Sequence, residues 1–188
     1  MGKIHRYLEK GTVYFVTTNT INRRKIFTDE TAAKFLLMCI GYNKFMLNFR
    51  LFGYVIMPDH LHMLLQTSED SEKYNLSFIM KQIKGNFARK YNEWFQHRES
   101  EIKCNRQLIA GYKKDAQGHF YRPVWQESFY DIALRDSKQV REKIEYMHWN
   151  PVKAGLVEHP KQYEFSSYQQ YYGEKRLWIQ IPVELFTL

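Results

Sequence analysis

The sequence predicts a ferredoxin-like, or RRM-like, α/β sandwich, with one antiparallel sheet, two helices on one of its faces and an additional C-terminal helix. Segments of β-branched and aromatic residues alternate with segments of helical period in the order strand, helix, strand, strand, helix, strand. The length of 188 residues is enough for one domain with a core and too short for two, so 1–188 is predicted to be a single domain. A third helical segment then remains to approach the free face of the sheet.

The first strand is predicted at Val13–Thr18, where β-branched and aromatic residues lie between Gly11 and Asn19. A basic loop, Asn22-Arg-Arg-Lys25, follows it. Thr28-Asp-Glu30 then supplies an N-cap and an acidic first turn for the first helix. The helix is indicated by apolar residues at helical spacing: Ala32, Phe35, Leu36, Cys39 and Ile40.

The second and third strands, at 49–57 and 60–67, are predicted to meet at the turn Met57-Pro58-Asp59. Side chains alternate between the faces of a strand, so His60 and His62 should share one face, with Leu61, Met63 and Leu65 on the other. Two neighbouring imidazoles can form part of a metal site. A hydrogen-bonded histidine pair at a strand end is an equally good interpretation of this spacing.

A second, longer helix is predicted from about Leu76 to Trp94, and its outer faces carry Lys81, Lys84, Arg89 and Lys90. Such cations usually form a solvated face. Regular periodicity fades over residues 97–122, which are predicted to be a long loop or an insertion. A fourth strand at Phe129–Leu134 precedes the third helix.

The third helix is predicted from Lys138 to about Trp149, capped by Asp136 or Ser137 and ended by Pro151. Its apolar stripe contains Val140, Ile144 and Met147, and Tyr146 lies to one side of that stripe. From spacing alone, Tyr146 is most simply a surface residue. Residues 158–188 are expected to be a C-terminal packing segment.

The composition favours a nucleic-acid partner. The formal net charge is +8 and 16% of residues are aromatic, so cations are available for phosphates and rings for bases. Cys39 and Cys104 indicate neither a disulfide framework nor a zinc ribbon, which fits the cytoplasm. No signal peptide or membrane span is recognisable.

Two motifs resemble those of the HUH single-tyrosine transposases, and most closely the REP-associated tyrosine transposases related to insertion sequences. The first is Tyr54-Val-Ile-Met-Pro-Asp-His-Leu-His-Met-Leu-Leu65, and the second is Tyr146-Met-His-Trp-Asn-Pro-Val-Lys-Ala-Gly-Leu-Val157. Asn22-Arg-Arg-Lys-Ile-Phe27 and Trp125-Gln-Glu-Ser-Phe-Tyr-Asp131 are also similar to that family. The resemblance covers most of Tyr14 to Tyr168.

The resemblance implies metal-dependent cleavage and strand transfer of single-stranded DNA through a 5′-phosphotyrosine. It implies Tyr146 as nucleophile and His60, His62 and Asn150 as ligands of Mg²⁺ or Mn²⁺, with asparagine where many relatives have glutamine. It further implies hairpin-containing DNA as substrate and allows a homodimer. Residues expected to contact DNA are Arg23, Arg24, Lys81, Lys84, Lys90 and Lys153, with Trp125 as a stacking ring.

The main alternative is a non-catalytic module that binds single-stranded nucleic acid, since RRM-type sheets are also basic and aromatic. Such a module would carry Phe or Tyr where the predicted sheet carries His60 and His62. A relaxase or replication initiator would use the same chemistry, but these proteins usually have further domains. Detection of a covalent protein–DNA adduct separates the enzyme from the binding module.

Overall fold

The structure is a computed structural model that describes residues 11–68, 74–101, 113–114, 120–173 and 181–186, with the backbone alone at 95–101, 113–114 and 120. Its elements follow in chain order: β1 Val13–Asn19, α1 Glu30–Leu47, β2 Arg50–Met57, β3 His60–Gln66, α2 Leu76–Glu101, β4 Lys113–Lys114, β5 Phe120–Tyr121, β6 Tyr130–Leu134, α3 Ser137–Lys153 and α4 Tyr168–Tyr172.

The main sheet has the strand order β2-β3-β1-β6, and the neighbouring strands in it are antiparallel. This is the order of a ferredoxin-like sandwich, so the predicted fold class is confirmed. The two central strands, β1 and β3, run side by side from Val13 opposite Gln66 to Asn19 opposite His60. The turn at Pro58 therefore places the start of β3 beside the end of β1.

The sheet separates two apolar layers. On one face α1 and α2 cover Tyr14, Val16, Leu61, Met63 and Leu65, as the alternation of β3 predicts. On the other face α3 packs against the strands, and a smaller cluster is buried there: Phe15, Phe52, Val55, Met57, Leu64, Leu134, Val140, Ile144 and Met147. The third helix thus occupies the face that the first two leave free, which is the face of His62.

The predicted N-caps are confirmed. The Asp29 carboxylate accepts hydrogen bonds from the backbone N–H groups of Thr31 and Ala32 at the start of α1. Asp136 accepts one from the Gln139 N–H at the start of α3. These bonds satisfy donors that have no partner within the helix, so they fix where each helix begins.

The prediction that Pro151 ends the third helix is wrong, because α3 continues through it to Lys153. Ala154 is the C-cap, and the chain leaves the helix at Gly155, whose φ of 68° is left-handed. There the Gly155 N–H donates to the Val152 carbonyl and the Leu156 N–H donates to the Pro151 carbonyl, each over 2.9 Å. This pair of bonds is a Schellman motif, and it satisfies the last carbonyls of the helix.

Residues 97–122 are partly regular in the described structure. α2 continues to Glu101, and the short strands β4 and β5 pair with each other. The rest of this segment, including Cys104, lies outside the described residues, as do residues 1–10. Among the helices that the structure describes, none is both long enough and apolar enough to cross a membrane.

The C-terminal segment is attached to the outer edge of β2. Val55 forms an antiparallel bridge with Ser166, and the Ser167 N–H donates to the Tyr54 carbonyl over 2.9 Å. The hydroxyl of Tyr171 donates to the Phe52 carbonyl over 2.7 Å. The segment therefore covers an edge that would otherwise expose unpaired backbone groups.

A β-bulge at Phe52 interrupts β2, because Leu51 faces Leu65 while Gly53 faces Leu64. The buried Gly53 then lies directly under α3. A Cβ at this position would lie 2.0 Å from the Met147 methyl carbon and 3.2 Å from the Ser167 hydroxyl. A side chain at Gly53 would therefore overlap the end of Met147, so glycine suits the close packing of α3 on the sheet.

Candidate active site at the histidine pair

His60 and His62 converge at the start of β3. Their Nε2 atoms are 3.1 Å apart, and each ring has a second partner at Nδ1. The Nδ1 of His60 lies 2.6 Å from a carboxylate oxygen of Asp59, and the Nδ1 of His62 lies 2.8 Å from the Thr17 hydroxyl on β1. Both rings are thereby held in fixed orientations.

The hydrogen bond to Asp59 leaves the lone pair on Nε2 of His60 available. A carboxylate only accepts, so Nδ1 of His60 carries the proton and its Nε2 is unprotonated. Burial lowers the pKa of His60, against the opposing effect of Asp59. Burial, followed by the charges of His60, Arg23 and Lys143, lowers the pKa of His62 to about 3. Both imidazoles are therefore neutral at pH 7, which is the form that binds metals.

Tyr146 on α3 lies beside this pair. Its ring centroid is 6.0 Å from that of His62 in an edge-on arrangement, and 5.8 Å from that of Phe15. Phe15 in turn stacks on His62 with a centroid distance of 5.4 Å. These contacts hold the ring of Tyr146. Because Tyr146 is 42% exposed, a ligand can still reach it.

Two lysines of α3 lie over the Tyr146 ring. The Nζ atoms of Lys143 and Lys153 are each 5.2 Å from its centroid, and Lys143 is also 5.2 Å from that of Phe15. Cations in these positions contact the ring faces and can attract a phosphate. The structure thus places Lys153 beside Tyr146, and its contact with DNA stays a prediction.

The donor set fits a divalent cation with open positions. The Nε2 separation of 3.1 Å is comparable with that of two nitrogens sharing one ion, about 3 Å. The Asp59–His60 bond is the outer-shell contact that ligating histidines usually make. No group of three or more His, Cys, Asp or Glu side chains suited to a metal occurs in the described residues.

Asn150 stands one turn after Tyr146. Its amide nitrogen donates to the Tyr146 carbonyl over 2.7 Å, so one end of the carboxamide is held by its own helix. The carboxamide oxygen is the atom that would serve as a metal ligand. The Asn150 side chain is half-buried. Its role as the third metal ligand stays a prediction.

Most of the other predicted DNA contacts do not lie at the histidine pair. Lys81, Lys84 and Lys90 belong to α2, which packs on the opposite face of the sheet. The Lys84 ammonium donates to the backbone carbonyls of Gln126, Glu127 and Ser128, so it holds the loop before β6.

The two arginines of the first loop differ in position. Arg23 forms an ion pair of 2.9 Å with Asp59 and also donates to Asn19, so it lies at the edge of the site. Arg24 donates to the Pro123 carbonyl and therefore fixes the neighbouring loop. Arg23 is the one of the two that lies near the histidines.

The structure contradicts the assignment of Trp125 as a stacking ring. Trp125 is 9% exposed and packs against Phe27 and Phe87, with both centroid distances at 5.5 Å. Its indole N–H donates to the Lys84 carbonyl over 3.1 Å. A tryptophan in the core with its polar atom satisfied cannot stack on a base.

Sequence reasoning missed three site residues: Thr17, Asp59 and Lys143. Asp59 precedes His60 directly, and a carboxylate beside a candidate metal-binding histidine was a usable signal. Lys143 is one turn before Tyr146 and could have been found from helical spacing. Thr17 gave no signal, because its position opposite His62 depends on the register of two strands distant in sequence.

Replacing Asp59 by asparagine should weaken metal binding about 10- to 100-fold, because the proton on Nδ1 of His60 loses its charged acceptor. Titration of the purified protein with Mn²⁺ in a calorimeter measures this. Glu158→Gln, which removes an exposed carboxylate elsewhere, is the matched control and should bind as tightly as the wild type. Equal affinities for all three proteins would contradict the role of Asp59.

Comparison with known proteins identifies relatives along most of the chain. Residues 10–118 match the family described as "Transposase IS200 like". A REP-associated tyrosine transposase of Escherichia coli K12 is 26% identical over 172 residues, covering 90% of this chain and 84% of the relative. A Haemophilus influenzae protein assigned to the same group is 27% identical over 174 residues, covering 90% and 87%.

The solved structure of a REP-associated tyrosine transposase bound to a REP hairpin has a similar fold, with a TM-score of 0.67. It covers 100% of this chain and 95% of its own, at 22% sequence identity. At that identity the likeness concerns the fold, which is the ferredoxin-like arrangement with the additional helix described above.

Proposed function

Because this chain belongs to the IS200-like transposase family and is a DNA transposase, we propose that it cleaves and rejoins single-stranded DNA with Tyr146 as the nucleophile. The observation that supports this most is the position of the Tyr146 ring, 6.0 Å from the ring of His62 on the face shared by both histidines. A phenol, two neutral imidazoles and two cations are collected there from segments far apart in sequence.

In the proposed reaction the Tyr146 oxygen attacks the phosphorus of a phosphodiester and loses its proton. The bond from phosphorus to the 3′ oxygen breaks, and that oxygen leaves and takes up a proton. The products are a 5′-phosphotyrosine and a free 3′-hydroxyl. Because the covalent link retains the energy of the broken bond, attack by another 3′-hydroxyl can rejoin strands without ATP.

His60 and His62 would hold a divalent cation, Mg²⁺ or Mn²⁺, with the carboxamide oxygen of Asn150 as the proposed third protein ligand. Such an ion, when bound, polarises a non-bridging phosphate oxygen and neutralises charge. The protein contributes the orientation of the ligands through Asp59 and Thr17.

Lys143 and Lys153 would assist the reaction. Both ammonium groups lie 5.2 Å from the Tyr146 ring centroid, where they would stabilise the negative charge that develops on the attacked phosphate. They would also attract the phosphate.

The proposed substrate is single-stranded DNA that contains a hairpin, as in the structurally similar transposase bound to a REP hairpin. Phenol and imidazoles come from one chain here, so the site does not need a second subunit to bring them together. A homodimer remains compatible with this arrangement.

The test is to incubate the purified protein with a labelled single-stranded oligonucleotide that contains a hairpin, with Mn²⁺ or with EDTA. We expect a covalent adduct on a denaturing gel with Mn²⁺ and none with EDTA, and mass spectrometry should locate the nucleotide on Tyr146. An adduct on another residue would contradict the assignment of the nucleophile. Tight binding without any adduct would instead favour the non-catalytic binding module.

A further inference from the structure

One end of the sheet face that carries the histidines extends beyond α3. This end is formed where β1 finishes and β6 begins. Tyr130, the first residue of β6, is 62% exposed, whereas Phe15 on the covered part of the same face is 3% exposed. A large aromatic side chain therefore stands on open sheet surface beside the candidate active site.

The register of the sheet connects Tyr130 to the histidine pair. Thr17 on β1 is opposite His62 on one side and opposite Tyr130 on the other. Residues paired across antiparallel strands project to the same face, so these three side chains form a row across β3, β1 and β6. Two strand spacings separate Tyr130 from His62, which is about 10 Å.

The charges around this row suit an anionic chain. Lys143 lies over Phe15, two residues before Thr17 on β1. Arg23 donates to Asn19, two residues after Thr17, and its side chain is 51% exposed although it also pairs with Asp59. A strand whose phosphate lies at Tyr146 would thus pass between cations on either side of the row, with the Tyr130 ring facing its bases.

We propose that Tyr130 is a base-stacking residue that binds an unpaired nucleobase close to the phosphate attacked by Tyr146. This inference rests on the proposed function, because it takes single-stranded DNA as the ligand. Every nucleobase has a flat face for an aromatic ring, so stacking here would hold the strand without selecting its sequence. It would give the sheet the stacking role that Trp125, buried in the core, cannot fill.

The test measures DNA binding without cleavage, using full-length protein with Tyr146→Phe as the reference. Fluorescence anisotropy reports its affinity for a labelled single-stranded oligonucleotide in Mn²⁺ buffer. Adding Tyr130→Ala should weaken binding about tenfold or more, whereas adding Tyr130→Phe, which retains a ring, should leave it within about twofold. The slope of affinity against salt should not change, because no charge is removed.

Tyr42→Ala is the matched control. Tyr42 is 59% exposed on α1, across the sheet from the site, so its truncation should leave affinity unchanged. An oligonucleotide with one abasic position, moved along the strand, provides an independent measurement. At one position the abasic strand should bind the reference more weakly, and Tyr130→Ala should cause no further loss there.

Failure of the stacking inference and failure of the proposed function give different experimental results. If the reference protein binds the single strand tightly and Tyr130→Ala binds it equally well, the stacking inference alone is overturned. Equal weakening by Tyr130→Ala and Tyr42→Ala, or equal weakening on fully double-stranded DNA, overturns it as well. If the reference does not bind single-stranded DNA and the wild type forms no adduct, the proposed function fails and the stacking inference fails with it.

Discussion

Replacement of Tyr146 by phenylalanine should abolish the covalent DNA adduct while leaving the fold intact. The change removes only the hydroxyl oxygen, and the ring can keep its contacts with Phe15 and His62. Without that oxygen there is no atom to form the phosphotyrosine, so we expect the cleavage rate to fall by at least about 10⁴-fold. Denaturing gels of labelled oligonucleotide with Mn²⁺ measure the adduct directly.

Tyr42→Phe is the control for this experiment, since it removes a hydroxyl from an exposed tyrosine on the other side of the sheet. It should form the adduct at the wild-type rate. DNA binding by Tyr146→Phe should stay within about threefold of the wild type, because the cations around the ring remain. Survival of the adduct in Tyr146→Phe would place the nucleophile elsewhere.

Substitution of Gly53 by alanine should reduce cleavage about 100-fold, although Gly53 is not part of the proposed chemistry. The new Cβ would lie 2.0 Å from the methyl carbon of Met147, which is fully buried and has little room to move. We expect the end of the Met147 side chain to move and α3 to shift with it, because Met147 is buried under that helix and Tyr146 is the adjacent residue. A displacement of about 1 Å at the reacting groups is enough for a loss of this size.

The same substitution should lower the free energy of unfolding by about 1–3 kcal/mol, which urea denaturation measures. Gly85→Ala is the matched control. Gly85 lies within α2, and a Cβ there would have nothing within 4 Å, so alanine should stabilise the protein by about 1 kcal/mol. If Gly53→Ala cleaved DNA at the wild-type rate, the prediction would be contradicted. The site would then not depend on the close packing of α3 against residue 53.

Local patterns were sufficient to predict the fold and the position of the histidine pair. The alternation of β3 identified the face of His62 before any tertiary information, because one face of the strand is entirely apolar. The caps at Asp29 and Asp136 are likewise local, since each bonds to a backbone N–H within three residues. Local hydrogen bonding of this kind can be predicted from the sequence.

The errors arose where a local rule competed with a stronger interaction. Proline was expected to end α3, but the helix continues to a glycine that can adopt the left-handed backbone. An aromatic residue in a basic protein suggested stacking, but Trp125 fills the core beside Phe27 and Phe87. Whether a loop tryptophan points inwards depends on the space between distant helices and strands, which the sequence pattern does not contain.

The bulge in β2 has a consequence for the attachment of the C-terminal segment. The extra residue, Phe52, supplies the carbonyl for the Tyr171 hydroxyl, and its ring lies 5.7 Å from that of Phe186. A strand lacking Phe52 would still place Leu51 and Gly53 opposite Leu65 and Leu64, with every side chain turned as it is now. The inserted residue thus anchors the C-terminal segment through its carbonyl and its ring, and the same ring belongs to the apolar cluster under α3.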